Sequence, residues 1–163
     1  MSELISHTPT WVFAIFFTLL VLGFIQSKER IVKVNSVFIL PISMVVFSLF
    51  GVLSVFGITI SAMGFWITGL IVALIWGIKL AYPKLVSFSA QNKRLTIPGS
   101  WAPLIFMMAI FFTKYIVGYA VARELAIVNE FMFMATINIL YGAFSGVFLS
   151  RSFVMFKASK TAM

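Results

Sequence analysis

The sequence predicts an all-α membrane protein, a bundle of five transmembrane helices that forms one domain over residues 1–163. The first observation is composition: 62% of the residues are hydrophobic and 10% are charged, whereas soluble domains are about 45–50% apolar and about 25% charged. The mean hydropathy is +1.12. The second is five apolar stretches that can each cross about 30 Å of hydrocarbon. The third is a clustering of basic residues in alternate connectors. Together these observations predict that lipid, rather than water, is the solvent.

Each predicted helix has recognisable start or stop residues. Thr8 is a suitable N-cap with Pro9 at the first helical position, and Ser100 is the expected cap of the fourth helix. Pro41 lies inside the second helix, where it frees the carbonyl of Val37 and predicts a kink. The polar residues 150–152 are expected to end the fifth helix. The predicted spans are about 10–26, 34–57, 61–82, 101–123 and 130–149.

The connector between the third and fourth helices has a strand-like pattern. Apolar and polar residues alternate over 86–90 and again over 95–97, on either side of the polar residues 91–94. Alternation with a period of two around a polar turn is typical of a β-hairpin. Such a hairpin is either a structured connector or a binding element.

The basic residues predict the orientation of the chain. Ten of them fall in the first connector, the long connector with its edge, and the C-terminal tail. They are Lys28, Arg30, Lys33, Lys79, Lys84, Lys93, Arg94, Arg151, Lys157 and Lys160. The other side carries only Arg123 beside three glutamates. Because cytoplasmic connectors are enriched in Lys and Arg, we expect the N-terminus outside and the C-terminus in the cytoplasm.

The same asymmetry accounts for the net charge of +8, so we expect no nucleic-acid partner. The chain has no Cys, no Asp and one histidine, His7. Metal and haem sites need several His, Cys or carboxylate ligands. We therefore expect no metal, no cofactor and no enzymatic activity.

Lys114 is the candidate site residue, because it lies past the midpoint of the fourth predicted helix. A lysine near the bilayer centre costs about 2.5–3.5 kcal/mol and normally faces the bundle interior or water. Snorkelling to the outer interface is the alternative, but that interface is about 13 Å away along the helix. Four polar residues of the other helices are predicted at a similar depth: Thr18, Ser48, Thr68 and Asn138. We expect these five residues to form a polar layer that holds either a neutral amine or an amine that binds an anion.

Gly142 and Gly146 form a GxxxG motif in the fifth helix. Small residues at this spacing let two helices approach closely. The motif is open to two interpretations, packing within one chain or the contact of a homo-oligomer.

Two motifs carry a resemblance to known proteins. They are His7-Thr8-Pro9-Thr10-Trp11-Val12 and the run from Leu95 to Trp101, which leads into Phe111-Phe112-Thr113-Lys114-Tyr115. With these motifs the chain resembles a family of uncharacterised small bacterial inner-membrane proteins. The resemblance implies a bundle of four to five helices in a Gram-negative inner membrane, and it implies no activity.

The leading functional hypothesis is a non-enzymatic accessory or interaction protein, with the lipid bilayer and a second membrane protein as partners. Small size, short outer connectors and the missing catalytic residue types favour this class. The alternative is a small oligomeric transporter or channel in which Lys114 binds an anion or a carboxylate.

Overall fold

The computed structural model of the chain describes residues 10–81, 83, 86–89 and 94–161. These residues form five α-helices: α1 (Thr10–Ser27), α2 (Ile39–Phe56), α3 (Ile60–Leu80), α4 (Ala102–Ala122) and α5 (Phe131–Thr161). They also form three strands: β1 (Arg30–Lys33), β2 (Ser87–Ser89) and β3 (Arg94–Ile97). The predicted cap at Thr8 and Pro9 and the polar turn at 91–93 lie outside the described residues.

The five predicted helices are confirmed, and four are long and apolar enough to cross a membrane: Ser36–Phe56, Ile60–Leu80, Ala102–Ala122 and Phe131–Ser159. The apolar stretch of α1, Val12–Ser27, is shorter. Large apolar side chains point outward, among them Val46, Phe50 and Ile116. A continuous apolar exterior of this kind is stable in hydrocarbon, so the chain is compatible with a multi-pass membrane protein.

Helix α5 is central to the bundle, since it packs against α3, α2 and α4, while α1 packs against α4. The contact with α3 is close because Gly142 and Gly146 lie directly on the backbone of Trp66 and Leu70. From the other side, Gly69 lies on the backbone of Ile139. The structure therefore uses the GxxxG motif for packing within one chain. A homo-oligomer would need another face of the bundle, and its existence stays a prediction.

Two apolar clusters fill the bundle. One joins α2, α3, α4 and α5 and consists of Val52, Ala62, Trp66, Val117, Ile137 and Tyr141. The other joins α1, α2, α4 and α5 and consists of Leu19, Met44, Met107, Ile110 and Phe148. Side chains from every helix thus contribute to the interior.

Helix α5 does not end at residue 149 as predicted, but continues to Thr161. The polar residues expected to end it are accommodated instead, because Ser150 Oγ donates to the Val147 carbonyl at 2.8 Å in the same helix. The 31 residues of α5 are about 46 Å long, compared with about 30 Å of hydrocarbon. Helix α5 is thus longer than one span requires, and near its end Met155 packs against Leu95 and Ile97 of the sheet.

The predicted start of the second helix is also corrected. A 3-10 helix covers Val34–Phe38, and α2 begins only at Ile39. Pro41 thus lies in the first turn of α2, where its missing N–H is tolerated, instead of kinking a continuous helix. The carbonyl of Val37, four residues before the proline, accepts a hydrogen bond of 2.9 Å from Ser152 Oγ. This bond ties the start of α2 to α5.

The predicted hairpin is confirmed as the antiparallel pair β2 and β3, but the sheet has a third strand that was not predicted. Strand β1 pairs antiparallel with β3, so the sheet order is β1-β3-β2. Arg30 lies opposite Ile97, and Val32 lies opposite Leu95. Because Leu95 and Ile97 are buried, the alternation of side chains along a strand places Arg30 on the inner face of the sheet. The sheet also brings the first and third connectors to the same end of the bundle.

Candidate functional site

Lys114 lies where α4 meets α2 and α5, and three aromatic rings lie near the ammonium group of this half-buried side chain. Its Nζ is 3.9 Å from the ring centroid of Phe47, 5.8 Å from that of Phe50 and 5.9 Å from that of Tyr141. Cations within about 6 Å of a ring centroid are attracted by the negative face of the ring, by about 0.5–2 kcal/mol. The aromatic rings thus partly compensate the positive charge of the ammonium group. The sequence had predicted hydroxyl and amide partners for it instead.

Gly51 provides the space for this arrangement. A Cβ atom at this position would lie 2.8 Å from the Nζ and 2.9 Å from the Cε of Lys114. Phe47, Phe50 and Gly51 are spaced three and four residues apart, so they share one face of α2. These three residues were not predicted from the sequence. The signal in the sequence was their spacing along α2, because this helix was predicted to pass Lys114 at the same depth.

Ser48 is part of a buried hydrogen-bond network that joins three helices. Its Oγ donates to the Tyr141 carbonyl of α5 at 2.7 Å and accepts from Trp66 Nε1 of α3 at 3.1 Å. Ser145 Oγ donates to the same carbonyl at 3.1 Å. Because buried polar groups need partners, this network satisfies the indole N–H inside an apolar cluster. The hydroxyl predicted as a partner for Lys114 is therefore engaged in interhelical packing.

Asn138 is fully buried in α5, and its amide is bonded within its own helix. Its Nδ2 donates to the Met134 carbonyl at 2.7 Å. Its Oδ1 has no hydrogen-bond donor among the described residues. The amide therefore packs in the core without contributing a bond to Lys114.

Thr18 and Thr68 are exposed on the outer faces of their helices. Thr18 Oγ1 donates to the Ala14 carbonyl at 2.7 Å, and Thr68 Oγ1 donates to the Gly64 carbonyl at 2.8 Å. Hydroxyl groups bonded in this way are tolerated in apolar surroundings. Within the described part of the chain, no hydrogen bond joins Lys114 to any of its four predicted partners. Ligand binding by the five residues stays a prediction.

The chemistry available at this site is restricted to that of one amine among aromatic rings. The part of the chain that the structure describes holds no group of three or more His, Cys, Asp or Glu side chains that could bind a metal ion. An ammonium group repels metal cations and attracts anions or π faces. The arrangement therefore supports either an internal cation–π contact or the capture of an anion that displaces a ring.

Comparison with known proteins identifies a family but no activity. Residues 1–162 match the model of DUF6622, described as a family of unknown function. The comparison with curated proteins and the comparison with solved structures gave no match.

Proposed function

We propose that the chain, which belongs to DUF6622, is a non-enzymatic accessory or interaction protein of a bacterial inner membrane. In this proposal it crosses the membrane five times, with its N-terminus outside and its C-terminus in the cytoplasm. The pairing of β1 with β3 supports an antiparallel α2 and α3 within this arrangement, since it joins the connectors on either side of the two helices at one end of the bundle. The predicted basic side of the protein includes both of these connectors.

The environment of Lys114 is the observation that carries the proposed class of function. The transport alternative needs this ammonium group to face a substrate. Instead, its nearest ring centroid, that of Phe47, is 3.9 Å away, and Gly51 of the same helix lies directly against the lysine side chain. The cation–π contact stabilises this half-buried side chain where it is, without a ligand. This favours an accessory protein over a transporter.

A folded module outside the apolar layer gives the protein a place to meet a partner. The inner face of the sheet packs on the end of α5 through Leu95, Ile97 and Met155. On the opposite face, Ile31 is 63% exposed beside the exposed Lys33. An exposed apolar residue within a small polar surface is a suitable anchor for a contact with another protein.

Transport and interaction are separated by two measurements on the full chain. Proteoliposomes are loaded with chloride, phosphate or lactate in turn, and we expect no flux above that of protein-free vesicles. A photo-reactive amino acid is placed at Ile31 in cells, with Ile105 on the outer face of α4 as the matched lipid-facing control. We expect one discrete protein adduct from position 31 and none from position 105. Flux that Lys114→Met abolishes would establish the transport alternative instead.

The orientation is tested by labelling single cysteines, which is straightforward because the natural chain has none. Ile58→Cys lies in the short connector between α2 and α3, where the side chain is 86% exposed. Ser87→Cys lies on the exposed face of β2. We expect a membrane-impermeant maleimide to label position 58 in intact spheroplasts and position 87 only after lysis. Labelling of both positions from the same side would overturn the five-span arrangement.

A further inference from the structure

Two arginines from distant parts of the chain meet beneath the sheet. Arg30 comes from the inner face of β1, and Arg151 is 6% exposed in α5. Both line a cavity of about 420 Å³. It lies between the sheet, the end of α1, the start of α2 and the stretch of α5 from Phe148 to Met155. Arg30 Nη2 donates to Gln26 Oε1 at 3.0 Å. Arg30 Nη1 is buried and has no acceptor among the described residues.

The two guanidinium groups are close enough to affect each other. Burial, and then the positive charge of Arg151, lower the pKa of Arg30 from its ordinary value. None of the described residues that line the cavity is acidic. Buried like charges are costly unless an opposite charge compensates them. The cavity therefore carries an excess of positive charge and an unused N–H donor.

The remaining walls of the cavity are largely apolar. Leu22 and Ile25 of α1 and Ile39 of α2 line its side, and they are 38%, 53% and 65% exposed. These are the outer, lipid-facing positions of the bundle. The cavity thus has a cationic end and an apolar flank that is open between α1 and α2.

The depth of the cavity corresponds to the edge of the hydrocarbon. Arg151 follows Phe131, the first residue of α5, by twenty positions, which is about 30 Å at 1.5 Å per residue. Lipid phosphates lie at this depth, and basic pockets between transmembrane helices bind anionic headgroups. Guanidinium groups suit this task because their N–H donors match the spacing of phosphate oxygens.

We propose that this cavity binds the phosphate group of an anionic phospholipid. The phosphate lies between Arg30 and Arg151, and an acyl chain follows Leu22, Ile25 and Ile39. The apolar flank favours a lipid over free phosphate, which would leave these side chains uncovered. The proposed function does not use these two arginines, and lipid binding at this cavity does not depend on the orientation of the chain.

The test measures lipid binding by the purified, delipidated full chain in detergent. Native mass spectrometry follows titrations with phosphatidylglycerol and phosphatidylcholine, and inorganic phosphate is added as a competitor. We expect one phosphatidylglycerol per chain, bound more tightly than phosphatidylcholine. Arg30→Gln should weaken its binding about tenfold or more, since hydrogen bonds to charged groups are the strong ones. Lys33→Gln is the matched control, because it removes the same charge from the exposed face of the same strand.

Further variants keep loss of binding separate from loss of folding. Without lipid, Arg30→Gln should unfold at the same temperature as the natural chain or higher, because it removes a repulsion. Arg30→Lys keeps the positive charge but not the paired N–H donors. Its affinity for phosphatidylglycerol should therefore lie between those of the natural chain and Arg30→Gln. Equal weakening by Arg30→Gln and Lys33→Gln, or equal binding of both lipids, would overturn the proposal. Competition by inorganic phosphate at millimolar concentration would assign the cavity to a soluble anion instead.

Discussion

The contact between α3 and α5 makes a quantitative prediction for Gly142→Ala. A Cβ atom at this position would lie 2.8 Å from Leu70 N and from the carbonyl carbon of Trp66, and closer still to the Trp66 oxygen. Ordinary contact begins at 3.4 Å, so all three contacts are too short and the two helices would have to separate. Overpacking of this kind costs about 1–3 kcal/mol. The higher helix propensity of alanine returns about 0.5–1 kcal/mol.

Gly118→Ala and Gly64→Ala are the matched controls, because nothing lies within 4 Å of a Cβ atom built at either position. Both controls gain the same helix propensity without a clash. Gly142→Ala should therefore be less stable than Gly118→Ala by about 1–3 kcal/mol. For a chain of this size the difference corresponds to a midpoint about 2–12 °C lower.

The assay is thermal unfolding of the purified variants in one detergent, followed by the fraction that remains monodisperse after heating. Equal midpoints for Gly142→Ala and Gly118→Ala would refute the reasoning, since they would mean that α3 and α5 are not in backbone contact at this point. A change from dimer to monomer at equal stability would instead favour the homo-oligomer interpretation of the GxxxG motif.

Two further predictions concern the residues around the candidate site. Ser48→Ala should lower the free energy of unfolding by about 1–3 kcal/mol, because it leaves the buried Trp66 N–H without an acceptor. Ser54→Ala, whose hydroxyl bonds only within its own helix, should change it by less than about 0.5 kcal/mol in the same denaturation assay. A double-mutant cycle of Phe47→Leu and Lys114→Met should give a coupling energy of about 0.5–2 kcal/mol. Strictly additive effects in the cycle would contradict the cation–π contact.

The number and approximate positions of the helices followed from the sequence because each helix corresponds to a local run of apolar residues. Backbone polar groups in hydrocarbon must be satisfied within the same segment, so an apolar run of sufficient length is also a helix. The hairpin of β2 and β3 was predictable for a similar reason, since its alternating pattern and its polar turn lie within one short connector. Lys114 could be singled out because a charge within an apolar run is visible without any knowledge of neighbours.

What surrounds these residues was decided only by tertiary structure. Strand β1 forms because β3, more than sixty positions later in the chain, supplies its hydrogen bonds, and beyond residue 149 helix α5 packs against the sheet through Met155. The rings near Lys114 and the proximity of Arg30 to Arg151 depend on how each helix is rotated about its axis. That rotation is set by close contacts such as those of Gly69 and Gly142, and hydropathy along the chain carries little information about it, since lipid and protein interior are both apolar.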